Sequence, residues 1–164
     1  MRKFGRLTLW RNRIRWKLVE LRRLYLVHVW GMDIGEGCTI SYEAKLDKSY
    51  PRGIHIGRDT AVTFGCAILT HDFARRHYAE TRIGERCMIG PHSVIMPGVT
   101  IGDGCVIAAG SVVVRDVPPG CLAFGNPARV METGLVTGKL GVILDRQSKQ
   151  AGDPTPRRTS EQGA

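Results

Sequence analysis

Between residues 34 and 117 an aliphatic residue returns every six positions. One run is Ile83, Ile89, Ile95, Ile101, Ile107 and Val113; shorter runs are Ile34, Ile40, Leu46 and Ile56, Val62, Ile68. Glycine follows directly at Gly35, Gly57, Gly84, Gly90 and Gly102. The fourth position after the aliphatic is small or β-branched in ten hexads: Cys38, Ala44, Thr60, Cys66, Cys87, Ser93, Val99, Cys105, Ser111 and Val117. A period of six matches neither the 3.6 residues of an α-helical turn nor the plain alternation of a strand. It matches a solenoid of very short strands joined by tight turns. The aliphatic fills the interior, the small residue fits a corner, and glycine permits the turn.

The flanks read differently. In residues 4–30, Leu7, Trp10, Ile14, Leu18, Leu21 and Tyr25 recur at three or four with Arg and Lys between them, which predicts one or two helices capping the open first coil. Val117-Pro118-Pro119-Gly120 ends the regular repeat, and Cys121 to Val130 is expected to return across the base. The chain thus divides into a basic helical segment (1–33), the repeat (34–118), a return segment (119–145) and a polar, Pro- and Gly-containing tail (146–164) expected to be disordered.

The hexads resemble those of the hexapeptide-repeat acyltransferases, over about residues 34–130. That resemblance implies an all-β fold, a single-stranded left-handed parallel β-helix in which three hexapeptides make one triangular coil. The coils then begin at Ile34, Ile56, Ile83 and Ile101. The last two are regular. The first two are longer, and their extra residues follow Leu46 and Ile68, so both insertions leave the third face at one corner. Adjacent rungs lie about 4.8 Å apart, which sets Asp47 and His71 on neighbouring rungs at one edge.

The resemblance places the family's catalytic histidine at His71. It implies direct transfer without an acyl-enzyme. Imidazole, a base near neutrality, takes the proton of an acceptor hydroxyl or amine, which attacks the thioester of acetyl-coenzyme A. A backbone N–H holds the oxyanion. Asp47 matches an acceptor-contacting aspartate of the sugar O-acetyltransferases, and Asp72 is the other candidate for a supporting role; either also reads as a solvated turn aspartate. On the coenzyme side, Ala108 to Val113 resembles the family's contacting stretch, so Ala109, Gly110 and Ser111, together with Gly90 from the preceding coil, are expected beside the pantetheine arm. Arg115 and Arg129 match positions that meet phosphates. Asn126-Pro127-Ala128-Arg129 resembles the terminal signature.

Some positions depart from the maltose and galactoside members. Pro91 stands where they carry a serine after the glycine, so an oxyanion donor must come from elsewhere, such as the N–H of His92. Residues 31–70 contain no Asn. Lys45-Leu46-Asp47-Lys48 and Pro51 to Gly57 resemble the polysaccharide-biosynthesis branch more closely. His71, His77 and His92 have the wrong spacing for the zinc site of related carbonic anhydrases, so no metal is expected.

Composition then sharpens the picture. The 164 residues suit one domain, with 20 glycines and four phenylalanines. The net charge of +9 is uneven: residues 1–30 hold nine Lys or Arg against Glu20 alone, leaving the rest nearly neutral. A nucleic-acid groove across the protein is not indicated. The basic segment reads as a cap or subunit contact, or as a surface helix drawn to an anionic membrane. Apolar runs are too short to span a bilayer, no secretory signal core develops, and five cysteines without a Cys-x-x-Cys point to a reducing, cytoplasmic setting. The leading expectation is a homotrimeric O-acetyltransferase acting on a polysaccharide sugar or a lipid-linked glycan precursor. N-acetylation of an amino-sugar nucleotide and a non-catalytic β-helical scaffold are the alternatives. Serine acetyltransferase is disfavoured because its large helical domain does not fit in 33 residues.

Overall fold

The computed structural model describes residues 6–146, and the side chains within it except those of 6–9, 11–13, 15 and 146. Residues 147–164, which hold all but the first position of the polar tail, lie outside the described residues, as does the side chain of Leu7.

The six-residue period becomes three parallel sheets wound around one core. The first face stacks Asp33–Ile34, Ile54–Ile56, Thr81–Ile83 and Thr100–Ile101, and Val117 bridges to Ile101 above them. The second stacks Thr39–Ile40, Ala61–Val62, Met88–Ile89, Val106–Ile107 and Leu122–Gly125. The third stacks Lys45–Leu46, Ala67–Ile68, Val94–Ile95 and Val112–Val113. The register is that of the hexads: Leu46 faces Ile68, Ile68 faces Ile95, and Ile95 faces Val113. Every aliphatic of the repeat is buried.

Two details correct the reading of the small positions. The glycines after the aliphatics are not in the left-handed region. They are glycine because the rungs touch: a Cβ on Gly57 would lie 2.6 Å from the backbone N of Glu85, and one on Gly90 2.6 Å from the carbonyl O of Ile107. Positive φ falls two residues later, at Gly37, Asp59, Arg86 and Gly104. The small corner residues also do more than fit. Cys38 Sγ donates to the Gly57 carbonyl (3.0 Å), Thr60 Oγ1 to Gly84 (2.8 Å), Cys87 Sγ to Gly102 (3.1 Å) and Cys105 Sγ to Pro118 (3.0 Å). Along this corner a thiol or hydroxyl ties each coil to the next, satisfying carbonyls buried between rungs. All five cysteines are free and buried.

The basic segment forms one helix, Arg6–His28, against the first coil. Its packed face carries Arg23 and Leu26, with Val27 and Trp30 partly buried beside them; Leu26 and Met32 close the open end of the core. Arg23 Nη1 donates to the Ile34 carbonyl at 3.0 Å, and Arg22 donates to the carbonyls of Tyr42 and Ala44 at 2.9 and 3.0 Å. Two cations therefore bind edge carbonyls of the first coil, which limits edge-to-edge pairing there. Of the two readings of this segment, the one that packs the periodic stripe does not hold for it: Trp10, Leu18, Leu21 and Tyr25 are all exposed, and Ile14 marginally so. Among the described residues no helix is long and apolar enough to cross a membrane.

At the far end, Leu122–Gly125 adds a fifth rung to the second face, and Ala128–Glu132 turns back antiparallel after a cis peptide between Asn126 and Pro127. Leu135–Thr137 and Ile143–Arg146 then pair antiparallel. This hairpin lies along the corner of the first two faces, where Thr137 Oγ1 donates to the Arg86 carbonyl at 2.8 Å.

Candidate active site

Both insertions leave the third-face corner, and the structure binds them to each other. Asp47 follows the strand Lys45–Leu46 on the first rung. Its Oδ2 accepts the backbone N–H of Thr70 at 3.1 Å and that of His71 at 3.0 Å; its Oδ1 accepts the N–H of Ser49 at 2.8 Å. Partial burial pushes the Asp47 carboxyl up, but the N–H groups of Ser49, Thr70 and His71 together outweigh it and hold the carboxyl below the usual aspartate value. An ionised Asp47 thus clamps the turn that presents His71, and its oxygens point at backbone rather than at open space.

The second insertion is a short hairpin, His71–Asp72 paired with His77–Tyr78. Threonines pin its base. Buried Thr70 donates its hydroxyl to the Tyr50 carbonyl at 2.9 Å, and buried Thr81 donates to the Leu69 carbonyl at 2.6 Å. Ala79 N–H closes on the Thr70 carbonyl at 2.9 Å. The half-buried His71 ring stacks on Tyr78 with centroids 4.5 Å apart and planes at 19°, and meets the edge of Phe73 at 6.1 Å. Tyr50 from the first insertion meets Tyr78 edge-on at 5.9 Å. Among the described residues no side chain hydrogen-bonds either ring nitrogen of His71. Aromatic contact fixes the ring plane while both nitrogens stay available to a ligand.

Asp72 does not face that ring. Its Oδ1 accepts the N–H of Arg75 at 3.1 Å, and Oδ2 lies 3.7 Å from the Arg75 guanidinium, so it shapes the hairpin turn. His92 N–H is also committed, donating to the Phe64 carbonyl at 3.1 Å. The expectation that it supplies the oxyanion donor is therefore corrected. No side chain among the described residues joins a group of three or more His, Cys, Asp or Glu arranged for a metal ion.

The coenzyme candidates lie elsewhere on the prism. Gly90, Ala109, Gly110 and Ser111 sit at the corner between the second and third faces, across the width of the third face from His71, on the order of 15 Å by strand geometry. One chain does not bring the two groups together. Ala109 and Gly110 form an exposed turn with open space around Gly110. Gly90 is buried beneath them as a rung contact. Ser111 is buried too: its hydroxyl donates inward to the Ala108 carbonyl at 2.7 Å and accepts the Gly125 N–H at 3.3 Å. Its side chain holds the turn rather than presenting a group outward. Arg115 shares the His71 corner two rungs further on, about 10 Å along the axis. It and Arg129 are exposed and make no ion pair among the described residues. Sequence reasoning missed Tyr50, Tyr78, Thr70 and Thr81. The available signal was that two of the four tyrosines fall inside the insertions.

Comparison with known proteins agrees with this architecture. The family described as bacterial transferase hexapeptide (six repeats) matches residues 80–115. A maltose O-acetyltransferase from Clostridium difficile 630 superimposes with a TM-score of 0.54 at 30% identity, over 68% of this chain and 73% of that one. A galactoside acetyltransferase in complex with coenzyme A gives 0.52 at 30% identity, over 68% and 69%. YvoF of Bacillus subtilis (strain 168), itself an acetyltransferase by inference only, is 36% identical over 104 residues, 62% of this chain. The chain spans 60% of the length of that relative. With its hexad register, its three stacked faces and these likenesses, the chain belongs to the hexapeptide-repeat acyltransferases.

Proposed function

We propose that the protein is an acetyl-coenzyme A-dependent O-acetyltransferase, a homotrimer with the left-handed coil of its family, acting on a sugar hydroxyl of a polysaccharide or lipid-linked glycan precursor. The observation that carries this is the His71 ring: oriented by Tyr78 and Asp47, yet with neither nitrogen engaged by any described residue. His71 takes the acceptor's hydroxyl proton as the oxygen bonds to the acetyl carbonyl carbon. It returns that proton to the sulfur as the carbon–sulfur bond breaks. Acetyl-coenzyme A supplies the thioester. The residues fit it: the open Ala109–Gly110 turn suits the pantetheine arm, and the exposed Arg115 and Arg129 suit its phosphates. Because the Ala109–Gly110 corner and the His71 corner are on different edges, a complete site takes one from each of two neighbouring chains, as a closed three-fold assembly provides. Tyr50 and Phe73 offer ring faces to a sugar.

Exposed Trp10, Trp16 and Leu21 on a basic segment support peripheral attachment at the inner face of the cytoplasmic membrane. Sedimentation with anionic vesicles at low salt tests this, and failure to bind removes it. The activity is tested by free-thiol release from acetyl-coenzyme A across an acceptor panel of neutral glycans, lipid-linked sugars and amino-sugar nucleotides. Release that depends on a glycan hydroxyl supports O-acetylation. Release only with a free amine transfers the proposal to N-acetylation.

A further inference from the structure

Two apolar grooves flank the helix Arg6–His28 where it stands off the first coil. One, about 490 Å³, opens between Ile14, Leu18 and Val19 and the second face near Val62 and Phe64, and no charged side chain among the described residues lines it. The other, about 780 Å³, opens between Leu18, Leu21 and Tyr25 and the third-face strand Lys45–Leu46. Its volume is that of a small-molecule site, roughly 300–1,000 Å³. Among the described residues Arg22, Lys45 and Lys48 lie along it, and no acid does.

These cations are not equivalent. Arg22 is committed to the carbonyls of Tyr42 and Ala44. Lys48 rests over the Trp30 ring at 4.5 Å, and exposed Lys45 makes no ion pair among the described residues. Lys48 also adjoins Asp47, whose carboxylate accepts the His71 N–H at 3.0 Å. Through Lys48 the groove reaches the residue next to Asp47, and through Leu21 and Leu18 it follows the helix. We infer that this groove binds the alkyl or isoprenoid chain of an anionic amphiphile, with the phosphate at Lys45 and Lys48 and the remainder directed to His71. Charge complementarity selects a phosphate-bearing amphiphile over a neutral one. The inference deepens the function proposed above by giving its acceptor a lipid site, and it rests on that reading only for calling the amphiphile an acceptor.

Equilibrium binding to the full chain, with farnesyl phosphate and dodecyl phosphate below their micelle concentrations, tests it. Both are expected to bind at least tenfold tighter than dodecanol, and inorganic phosphate is expected not to compete at equal concentration. Leu21→Gln, at an exposed position, is expected to weaken chain binding at least fivefold. Lys45→Glu with Lys48→Glu should erase the preference over dodecanol, while Phe64→Gln in the other groove should change nothing. His71→Ala should bind as the parent does; a parent chain that binds the amphiphile but transfers acetyl to no acceptor would sink the enzyme reading and leave the groove standing. Equal affinity for dodecanol, full competition by inorganic phosphate, or sensitivity to Phe64→Gln alone would overturn the inference. So would dissociation of an oligomer by Leu21→Gln, which would assign the groove to a second copy of the chain.

Discussion

The Asp47 carboxylate and the His71 backbone N–H, 24 residues apart in sequence, meet in a 3.0 Å hydrogen bond across adjacent rungs. The same oxygen takes the Thr70 N–H, so one charge sets the entry of the chain into the hairpin. Asp47→Ala leaves these donors without their acceptor. We expect a loss of about 1–2 kcal/mol in stability and of about 10- to 100-fold in turnover, by analogy with residues that orient a reacting group. Denaturant unfolding and steady-state kinetics measure the two. Asp47→Asn, which keeps one acceptor oxygen, should fall between.

The same clamp has a pH dependence with a defined sign. The carboxyl is held below its ordinary value in the folded chain. Its stabilisation is therefore complete above the unfolded value, about 3.9, and is lost as pH falls through the lowered folded value. The stability difference between the parent and Asp47→Ala should be constant above about pH 5 and shrink below about pH 4. A difference that grew on acidification would contradict an ionised clamp.

Tyr78 is expected to act through His71. Stacked aromatic pairs contribute about 0.5–1.5 kcal/mol beyond burial, so Tyr78→Ala should lower kcat by roughly 3- to 10-fold. Tyr78→Phe keeps the ring and should retain most of the activity. A change in KM for the acceptor alone, with kcat intact, would make Tyr78 a sugar contact instead.

Two glycines should respond oppositely to what the turn hypothesis implies. Gly57→Ala drives a Cβ to 2.6 Å from the next coil's backbone and should cost about 3 kcal/mol. Gly110→Ala meets nothing within 4 Å despite a φ of 70° and should cost about 1 kcal/mol. Thermal or denaturant midpoints of the two variants decide it.

The faces, their order and the shared corner of the two insertions were legible because the core repeats with one period, and a repeating core fixes register. That alone placed Asp47 beside His71. What escaped the sequence depended on directions that periodicity does not encode. Gly57 and Gly90 read as turn formers, but their φ values are ordinary and the constraint is contact between coils. Trp10, Leu18 and Leu21 read as the packed stripe of a helix, yet Arg23 and Leu26 take that place because the first coil offers edge carbonyls to guanidinium groups. The N–H of His92 was eligible by position, but the carbonyl of Phe64 on the neighbouring rung already holds it.

The sharing of a site between chains can be tested by mixing. His71→Ala and Ala109→Trp alter different corners of the prism, so each homo-oligomer should be inactive or nearly so. Co-assembled oligomers contain interfaces with both corners intact and should recover a fraction of the parent rate. Mixtures no more active than their parts would place both corners' roles within one chain or outside catalysis.

The most direct measurement is acceptor-dependent release of free thiol from acetyl-coenzyme A by the parent and by His71→Ala, with both shown to be equally folded. Removing a positioned general base is expected to lower kcat by about 10²- to 10⁴-fold. Thiol release that persists undiminished in His71→Ala would contradict the assignment of His71 as the base.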